Sequence, residues 1–218
     1  MTTPVKIDFV SDISCPWCII GLRGLEEALA RVGGEMEADI RFRPFELNPD
    51  MAQGGENLGE HVTRKMGSTR EQSAQMRQTI TDRAAATGFA INFSDDSRVY
   101  NTFDAHRLLH WAGEEGGQHA LKQALFAAHF TRGEAMDDHD ALVAIVEQAG
   151  LDGAKAREVL ESGRYAAEVR QEEALWRSRG INSVPAIVLN EKYLVSGGQP
   201  AEMFEQALRA VVAEQETV

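Results

Sequence analysis

Two cysteines, the only ones in the 218-residue chain, stand in the segment Cys15-Pro16-Trp17-Cys18. A disulfide between residues so close in sequence would close a very small loop and remove little entropy from the unfolded chain, so a purely stabilising bridge explains them poorly. The spacing indicates instead either thiol–disulfide chemistry or one half of a metal site.

The residues around the cysteines favour the redox interpretation. Val5 to Ser11 alternate in polarity and predict a strand, whereas apolar residues recur at helical steps from Cys18 until Gly33. A helix that begins at the cysteines presents unpaired N–H groups and the positive end of its dipole, which favour a thiolate at Cys15. Pro16 suits the first helical position because its missing N–H would have no partner there. We therefore predict Cys15 as the nucleophile and Cys18, one turn inward, as the resolving cysteine.

The elements that must position this pair follow the order β-α-β, a block of helices, and then α-β-β-α. The predicted strands cover residues 5–11, 38–45, 184–189 and 193–195. Helices are predicted at 56–66, 69–87, 101–115, 118–131, 138–148, 153–161, 166–179 and 201–213. The pattern predicts an α/β domain made of residues 1–47 and 166–218, interrupted by an all-helical insertion over residues 48–165.

The chain resembles the DsbA family of the thioredoxin superfamily, and within it the FrnE-like cytoplasmic branch. The resemblance covers essentially the whole chain. The segments that carry it are Cys15-Pro16-Trp17-Cys18 after a strand, Asn101-Thr102-Phe103-Asp104-Ala105-His106-Arg107-Leu108, Gly180-Ile181-Asn182-Ser183-Val184-Pro185 and Ser196-Gly197-Gly198-Gln199-Pro200. It implies a thioredoxin fold with a large helical insertion.

The resemblance also implies roles for four residues beside the cysteines. Pro185 is expected in the cis form facing the cysteines, so that the Val184 backbone can pair with an extended substrate. Trp17 is expected to be exposed and, like Pro16, to contact partners. The implied activity is thiol–disulfide exchange on proteins or small molecules, with no bound cofactor and with glutathione as a possible redox partner. The direction of exchange, the physiological substrate and the oligomeric state, monomer or homodimer, stay open.

Two other functions compete with this interpretation. A glutathione-dependent isomerase or transferase is suggested by similarity to 2-hydroxychromene-2-carboxylate isomerases and kappa-class glutathione transferases, but those enzymes generally have serine at the position of Cys15. A chaperone-like binding module, in which the helical insertion does the work, is the third hypothesis. A zinc site is disfavoured because no second cysteine pair exists, although His106 and His110 lie one helical turn apart.

Several other residues are predicted to be structural. Asn101 and His106 are interpreted as a helix cap and a helix-surface histidine, and Gly197 and Gly198 as glycines that satisfy backbone geometry. The large aromatic residues Trp111, Trp176, Phe126 and Phe130 are predicted to lie in the core. The pair Glu172-Glu173 is predicted to lie on a solvated face.

The net charge and the composition of individual segments restrict which kinds of partner the chain can bind. The net charge is −12, from 34 acidic and 22 basic residues, which opposes binding to nucleic acid and to anionic membranes. The amino-terminal residues do not form a signal peptide, and no segment is long and apolar enough for a membrane span. We therefore expect a cytoplasmic protein.

Overall fold

The computed structural model describes residues 3–216, in which a mixed sheet is flanked by helices. The strands are β1 (Thr3–Ser11), β2 (Met36–Pro44), β3 (Glu56–Asn57), β4 (Arg98–Val99), β5 (Ala186–Leu189) and β6 (Tyr193–Ser196). The α-helices are α1 (Pro16–Val32), α2 (Leu58–Met66), α3 (Arg70–Ala86), α4 (Phe103–Glu114), α5 (Gln118–Phe126), α6 (His139–Gln148), α7 (Gly153–Ser162), α8 (Ala166–Ser178) and α9 (Ala201–Glu216). A 3₁₀ turn at Gly33–Glu35 and a π-helix at Ala127–Arg132 complete the described elements.

Four strands form the central sheet in the order β2-β1-β5-β6. The β1 and β2 strands are parallel, whereas β5 pairs antiparallel with both β1 and β6. Phe9 of β1 is opposite Phe42 on one side and Ile187 on the other. This register places Phe9 against α1 and α9 in one core, while Val10 packs on the opposite face with Trp176 of α8.

The helical segment between β2 and α8 has a core of its own but also shares the core of the sheet. Leu108, Leu125 and Ile145 belong to the separate helical core. Ile80 of α3 and Phe126 at the end of α5 instead pack with the buried residues of the sheet. The predicted boundaries at 48 and 165 therefore mark a change in secondary structure, and packing continues across them.

The outer edge of β2 is covered at Phe42 by a side chain from α5. The amide of Gln118 accepts a hydrogen bond from Phe42 N at 3.0 Å and donates one to Phe42 O at 3.2 Å. Its nitrogen also donates to the carbonyl oxygen of Leu109 at 3.1 Å. This side chain fixes the start of α5 against the sheet.

Among the predicted element boundaries that differ from the structure, the starts at Glu56 and Val184 have local causes. The helix predicted from Glu56 begins at Leu58, because Asn57 is its N-cap and accepts hydrogen bonds from the backbone of the first turn. Glu56 and Asn57 instead pair with β4 in a short strand that the helical pattern did not reveal. The strand predicted from Val184 begins at Ala186, since Pro185 has no N–H to donate to the sheet.

The helix predicted over 118–131 is also interrupted. Its α-helical part ends at Phe126, and a π-helix follows and ends at Gly133, whose φ angle is 71°. The π-helix lies at the end of the predicted segment, so too few apolar residues follow it for a shift in their periodicity to reveal it.

No helix within residues 3–216 is long and apolar enough to cross a membrane.

Candidate active site

The cysteine pair lies where β1 passes into α1. After Ser11 the chain turns, and Cys15 becomes the N-cap of α1 with Pro16 as the first helical residue. The Cys15 N–H donates to the Asp12 carbonyl oxygen at 3.3 Å, and the Cys18 N–H donates to the Cys15 carbonyl oxygen at 3.0 Å. The predicted strand–cysteine–helix arrangement is therefore present.

The two thiols are both free but differ in environment. Cys15 is 4% exposed and lies at the wall of a cavity, whereas Cys18 is 0% exposed. Burial, followed by the hydrogen bond and charge of Cys15, raises the pKa of the Cys18 thiol well above its usual value. Lys122 acts in the opposite direction on this pKa. The pair thus consists of an outer sulfur that faces the cavity and an inner sulfur that is enclosed.

Val184 and Pro185 lie beside the outer sulfur. The Cys15 thiol donates to the Val184 carbonyl oxygen with a separation of 3.6 Å, and the Val184–Pro185 peptide bond is cis. Pro185 is packed so closely on α1 that a Cβ at Gly21 would lie 3.1 Å from its Cγ. The structure therefore brings Val184 and Pro185 to the cysteine pair.

The expectation that Trp17 is exposed is wrong. Its side chain is half-buried and packs against the core of the sheet. The reason is its contact with the loop before α9, where a Cβ at Gly198 would lie 2.9 Å from the Trp17 carbonyl oxygen and 3.5 Å from its ring. Gly198 is thus required by a close approach, which agrees with its predicted structural role. Pro16 is half-buried and, like Trp17, contributes to the cavity beside Cys15.

A buried carboxylate that the sequence analysis overlooked lies in the turn before Cys15. Asp12 accepts hydrogen bonds from Leu47 N at 2.7 Å, from Thr102 Oγ1 at 2.7 Å and from Ser14 Oγ at 2.9 Å. Burial alone would raise the pKa of Asp12, but the nearby His106 and these hydrogen bonds outweigh it and lower the pKa to about 2. Asp12 is therefore ionised at neutral pH and connects β1, the segment after β2 and the start of α4.

His106 is not a helix-surface residue as predicted. It is buried, with Nε2 3.6 Å from Asp12 Oδ1, a separation too long for a hydrogen bond but close enough for attraction. Asn101 does act as a local cap, since its Oδ1 accepts from Phe103 N at 2.9 Å. The ring of His110 packs instead on Tyr165 at 5.0 Å. Residues 3–216 contain no group of three side chains placed to hold a metal ion.

Lys122 is the second buried charge that was overlooked. It lies on α5, within the helix predicted over 118–131, and is 0% exposed. Its Nζ stands 4.8 Å from the centre of the Phe126 ring and 5.7 Å from that of Phe42. Burial lowers the pKa of Lys122 to about 8, against the attraction of Cys18, Asp12 and Cys15. Its four-residue spacing from Phe126 was the signal that could have placed it on the buried face.

The prediction that Glu172 and Glu173 lie on a solvated face is wrong for Glu173. Glu172 is half-buried and pairs with Arg43, but Glu173 is buried rather than solvated and accepts a hydrogen bond from Arg170 at 2.9 Å. Arg170 also binds the buried carboxylate of Glu46. The predicted solvated acidic face is therefore partly an ion-pair network between α8 and the segment after β2.

A cavity of about 630 Å³ opens beside Cys15, between α1, α2, α3 and the π-helix. Its apolar wall includes Trp17, Leu58, Val62, Met66, Met76, Ile80, Phe93 and Phe130. His129 also lines it, and burial lowers the pKa of this histidine to about 4, so the ring is neutral near pH 7. The cavity can therefore accommodate an apolar group next to the outer sulfur.

Cationic side chains also line this cavity. Lys65 donates to Leu47 O and Asn48 Oδ1, Arg77 to Ser73 Oγ, and Arg98 to two glycine carbonyls, all neutral oxygens. Within the part of the chain that the structure describes, no carboxylate forms an ion pair with Lys65, Arg77 or Arg98. Arg132, which is paired with Glu134, and the carboxylate of Asp96 also line the cavity, so its cationic side chains outnumber its acidic ones in a chain whose net charge is −12.

The family model for the DSBA-like thioredoxin domain matches residues 6–209. The chain belongs to this family. The match confirms the predicted α/β thioredoxin fold with its helical insertion, and it makes this DSBA-like domain a member of an oxidoreductase family.

Individual relatives match this DSBA-like chain over nearly its full length. YwbO of Bacillus subtilis (strain 168), described as uncharacterised, is 28% identical over 209 residues, which cover 95% of this chain and 96% of YwbO. A crystal structure is known for SCO1869 from Streptomyces coelicolor, a probable DsbA oxidoreductase that is 36% identical to this chain with a TM-score of 0.89. The match covers 96% of this chain and 91% of SCO1869. A 2-hydroxychromene-2-carboxylate isomerase has a TM-score of 0.72 at 18% identity, covering 97% of this chain and 98% of its own, which shows a common fold alone.

Proposed function

We propose that this protein catalyses thiol–disulfide exchange, with Cys15 as the nucleophile and Cys18 as the resolving cysteine. The observation that carries the proposal is the arrangement of two free thiols at the start of α1, the outer one beside a cavity and the inner one enclosed. A substrate can reach the outer sulfur through the cavity. The inner sulfur can then attack the outer one and displace the substrate thiolate.

The exchange has two steps. The Cys15 thiolate attacks a substrate disulfide, forming a mixed disulfide and releasing one substrate thiolate. Cys18 then loses its proton and attacks the Cys15 sulfur, so that a Cys15–Cys18 disulfide forms and the second substrate thiolate leaves. The same steps run backwards to oxidise a dithiol, and the reduction potential of the pair relative to its partners decides the direction.

The surroundings of Cys15 supply the proposed substrate contacts. In this proposal the carbonyl oxygen of Val184, which lies 3.6 Å from the Cys15 sulfur and precedes Pro185, accepts an N–H from an extended substrate. Pro16 and Trp17, which line the cavity beside Cys15, contact the substrate as well. The proposal requires no resident cofactor. Glutathione is proposed as a redox partner because its carboxylates suit Lys65, Arg77 and Arg98, which line the cavity without an ion pair among the described residues. The cytoplasm is proposed as the compartment.

Cysteine variants test the proposal directly. The purified protein should reduce insulin disulfides with a thiol donor, C15S should abolish the reaction, and C18S should accumulate the mixed disulfide on Cys15. Full activity of C15S would exclude the mechanism. Equilibration of the wild type with glutathione buffers then gives the reduction potential and the preferred direction.

The same variants separate the competing functions. Turnover of a chromene carboxylate that depends on glutathione and survives in C18S would support an isomerase instead. Suppression of protein aggregation that is unchanged in the double variant C15S/C18S, without exchange activity in the wild type, would support a chaperone-like module.

A further inference from the structure

Lys122 is an unusual residue for the place it occupies. Its ammonium group is 0% exposed, and within residues 3–216 its Nζ has no hydrogen-bond partner. Taking an ammonium group out of water without a partner is costly, and lysine is among the residues least often fully buried. Two aromatic rings, Phe42 and Phe126, compensate part of this cost through cation–π contact.

Three ionisable groups that attract the ammonium group of Lys122 lie at the redox centre or in the turn before it. Cys18, Asp12 and Cys15 each attract its ammonium group, and the attraction of Cys18 is the largest of the three. His106 of α4 lines the same second cavity as Lys122, a space of about 600 Å³ between β2 and helices α4 and α5. On α5 itself, His119 is paired with Glu26, with 2.7 Å between Nε2 and Oε1. Phe42 and Phe126, whose rings contact the ammonium group, belong to the same buried core as Cys15 and Cys18, so Lys122 adjoins the core that encloses the redox pair.

We propose that Lys122 is a positioning residue whose positive charge stabilises the thiolate of Cys18 while that thiolate attacks the mixed disulfide on Cys15. The inference rests on the proposed exchange function and adds to it a contribution from the helical insertion. The enclosed sulfur must become an anion where water cannot solvate it, and Lys122 is the cation that most strongly meets that need.

The charge acts at one defined point of the cycle. With glutathione disulfide as substrate, Cys15 forms a mixed disulfide and releases the first glutathione thiolate. Cys18 then releases its proton to solvent, its sulfur bonds to that of Cys15, and the Cys15–glutathione bond breaks to release the second thiolate. Two glutathione thiols and one protein disulfide result, and the two electrons come from the cysteine pair. Lys122 stabilises the anion formed on Cys18 and is itself neither consumed nor bonded.

The experiment follows the mixed disulfide during a single turnover. Reduced protein is mixed with glutathione disulfide and quenched with acid at intervals, and mass spectrometry measures the fraction that carries glutathione on Cys15. In K122M, which keeps an unbranched side chain without the charge, resolution should slow at least roughly tenfold, the effect of one pKa unit on Cys18. K155M removes an exposed lysine of the same helical insertion and should resolve at the wild-type rate.

A pH profile separates an electrostatic role from a structural one. The pH at which the resolving rate reaches its plateau should be higher in K122M than in the wild type, because the Cys18 anion has lost its cation. The rate at which Cys15 attacks glutathione disulfide should fall less than the resolving rate, since Lys122 attracts Cys15 less strongly than Cys18. A defect in packing alone would not move the plateau.

A measurement on the wild type keeps the proposal testable if K122M does not fold. NMR of isotopically labelled lysine should show that Lys122 titrates at higher pH in the reduced protein than in the oxidised one. An unchanged titration, or resolution by folded K122M at the wild-type rate, would overturn the role of Lys122. Failure of the wild type to form either the glutathione adduct or the Cys15–Cys18 disulfide would instead overturn the proposed exchange function.

Discussion

The sulfur of Cys15 lies 3.6 Å from the carbonyl oxygen of Val184, although the two residues are 169 positions apart in the chain. The contact joins the start of α1 to the segment that leads into β5. Because the acceptor is a backbone oxygen, the contact does not depend on the side chain of residue 184. It places the outer sulfur between a fixed polar group and the cavity, whereas Cys18 lies beneath it.

Selective alkylation tests this difference between the two sulfurs. Iodoacetamide at neutral pH should label Cys15 at least roughly tenfold faster than Cys18, because the Cys18 thiol is enclosed and its pKa is raised. Both residues fall on one tryptic peptide, so fragment ions that separate position 15 from position 18 identify the labelled site. Equal labelling of the two cysteines in the folded protein would contradict the described arrangement.

Arg77 should determine how strongly the cavity prefers anionic substrates. R77Q should raise the KM for glutathione disulfide about fivefold, the effect of losing roughly 1 kcal/mol of partly screened attraction. The KM for the uncharged bis(2-hydroxyethyl) disulfide should change little. R83Q removes the same charge from an exposed position of α3 and is the matched control. An equal loss for both substrates in R77Q would argue against charge recognition.

Gly24 should be required for the packing of α1 against the loop before α9. A Cβ at this position would lie 2.6 Å from the Gln199 carbonyl oxygen, so G24A should lower the free energy of unfolding by about 1–3 kcal/mol despite the better helix propensity of alanine. Gly34 has no heavy atom within 4 Å of the corresponding point, and G34A should stay within about 0.5 kcal/mol of the wild type. Denaturant unfolding monitored by tryptophan fluorescence measures both, and equal stabilities would refute the close approach.

Glu46 should make stability fall as pH rises. Burial and then the repulsion of Glu173 raise the pKa of Glu46 to about 7 from an ordinary value of 4.5, in spite of its contact with Arg170. The folded chain thus holds this proton to higher pH than the unfolded chain, and the stabilisation present below pH 4.5 is lost as pH rises towards 7. A rise of the pKa from 4.5 to about 7 corresponds to roughly 3 kcal/mol, which solvent screening at the partly exposed Arg170 reduces to about 2 kcal/mol. E46Q should flatten this part of the profile.

The control for Glu46 is E168Q, which removes an exposed carboxylate from α8 and should keep the wild-type slope. Unfolding free energies measured at intervals between pH 4 and 8 compare the three proteins. A slope in E46Q equal to that of the wild type would show that another group causes the dependence.

Local patterns predicted the elements around the cysteines well, because each pattern reports a nearby physical cause. The alternation before Ser11 and the proline at position 16 placed the start of α1 correctly. The short strand at Glu56 escaped prediction because it depends on a distant partner strand. The π-helix after Phe126 escaped because it ends the helix, and too few apolar residues follow it to report a change of period.

The buried charges could not be predicted for a different reason. Asp12, Lys122 and Glu173 are residue types that normally lie at the surface, and their burial depends on partners far away in the chain. Asp12 is held by Thr102, 90 positions later, and Lys122 is attracted by the two cysteines at the start of α1. Sequence spacing gives a helix face but does not say which element covers it.

The side-chain amide of Gln118 blocks one position on the edge of β2 at which another molecule of this protein could add a strand. By satisfying both the N–H and the carbonyl of Phe42, it occupies the groups through which a foreign strand would add to β2. One side chain from a helix thus substitutes locally for a neighbouring strand, and it protects that position of the sheet from intermolecular pairing and from the fibrous aggregation that such pairing begins.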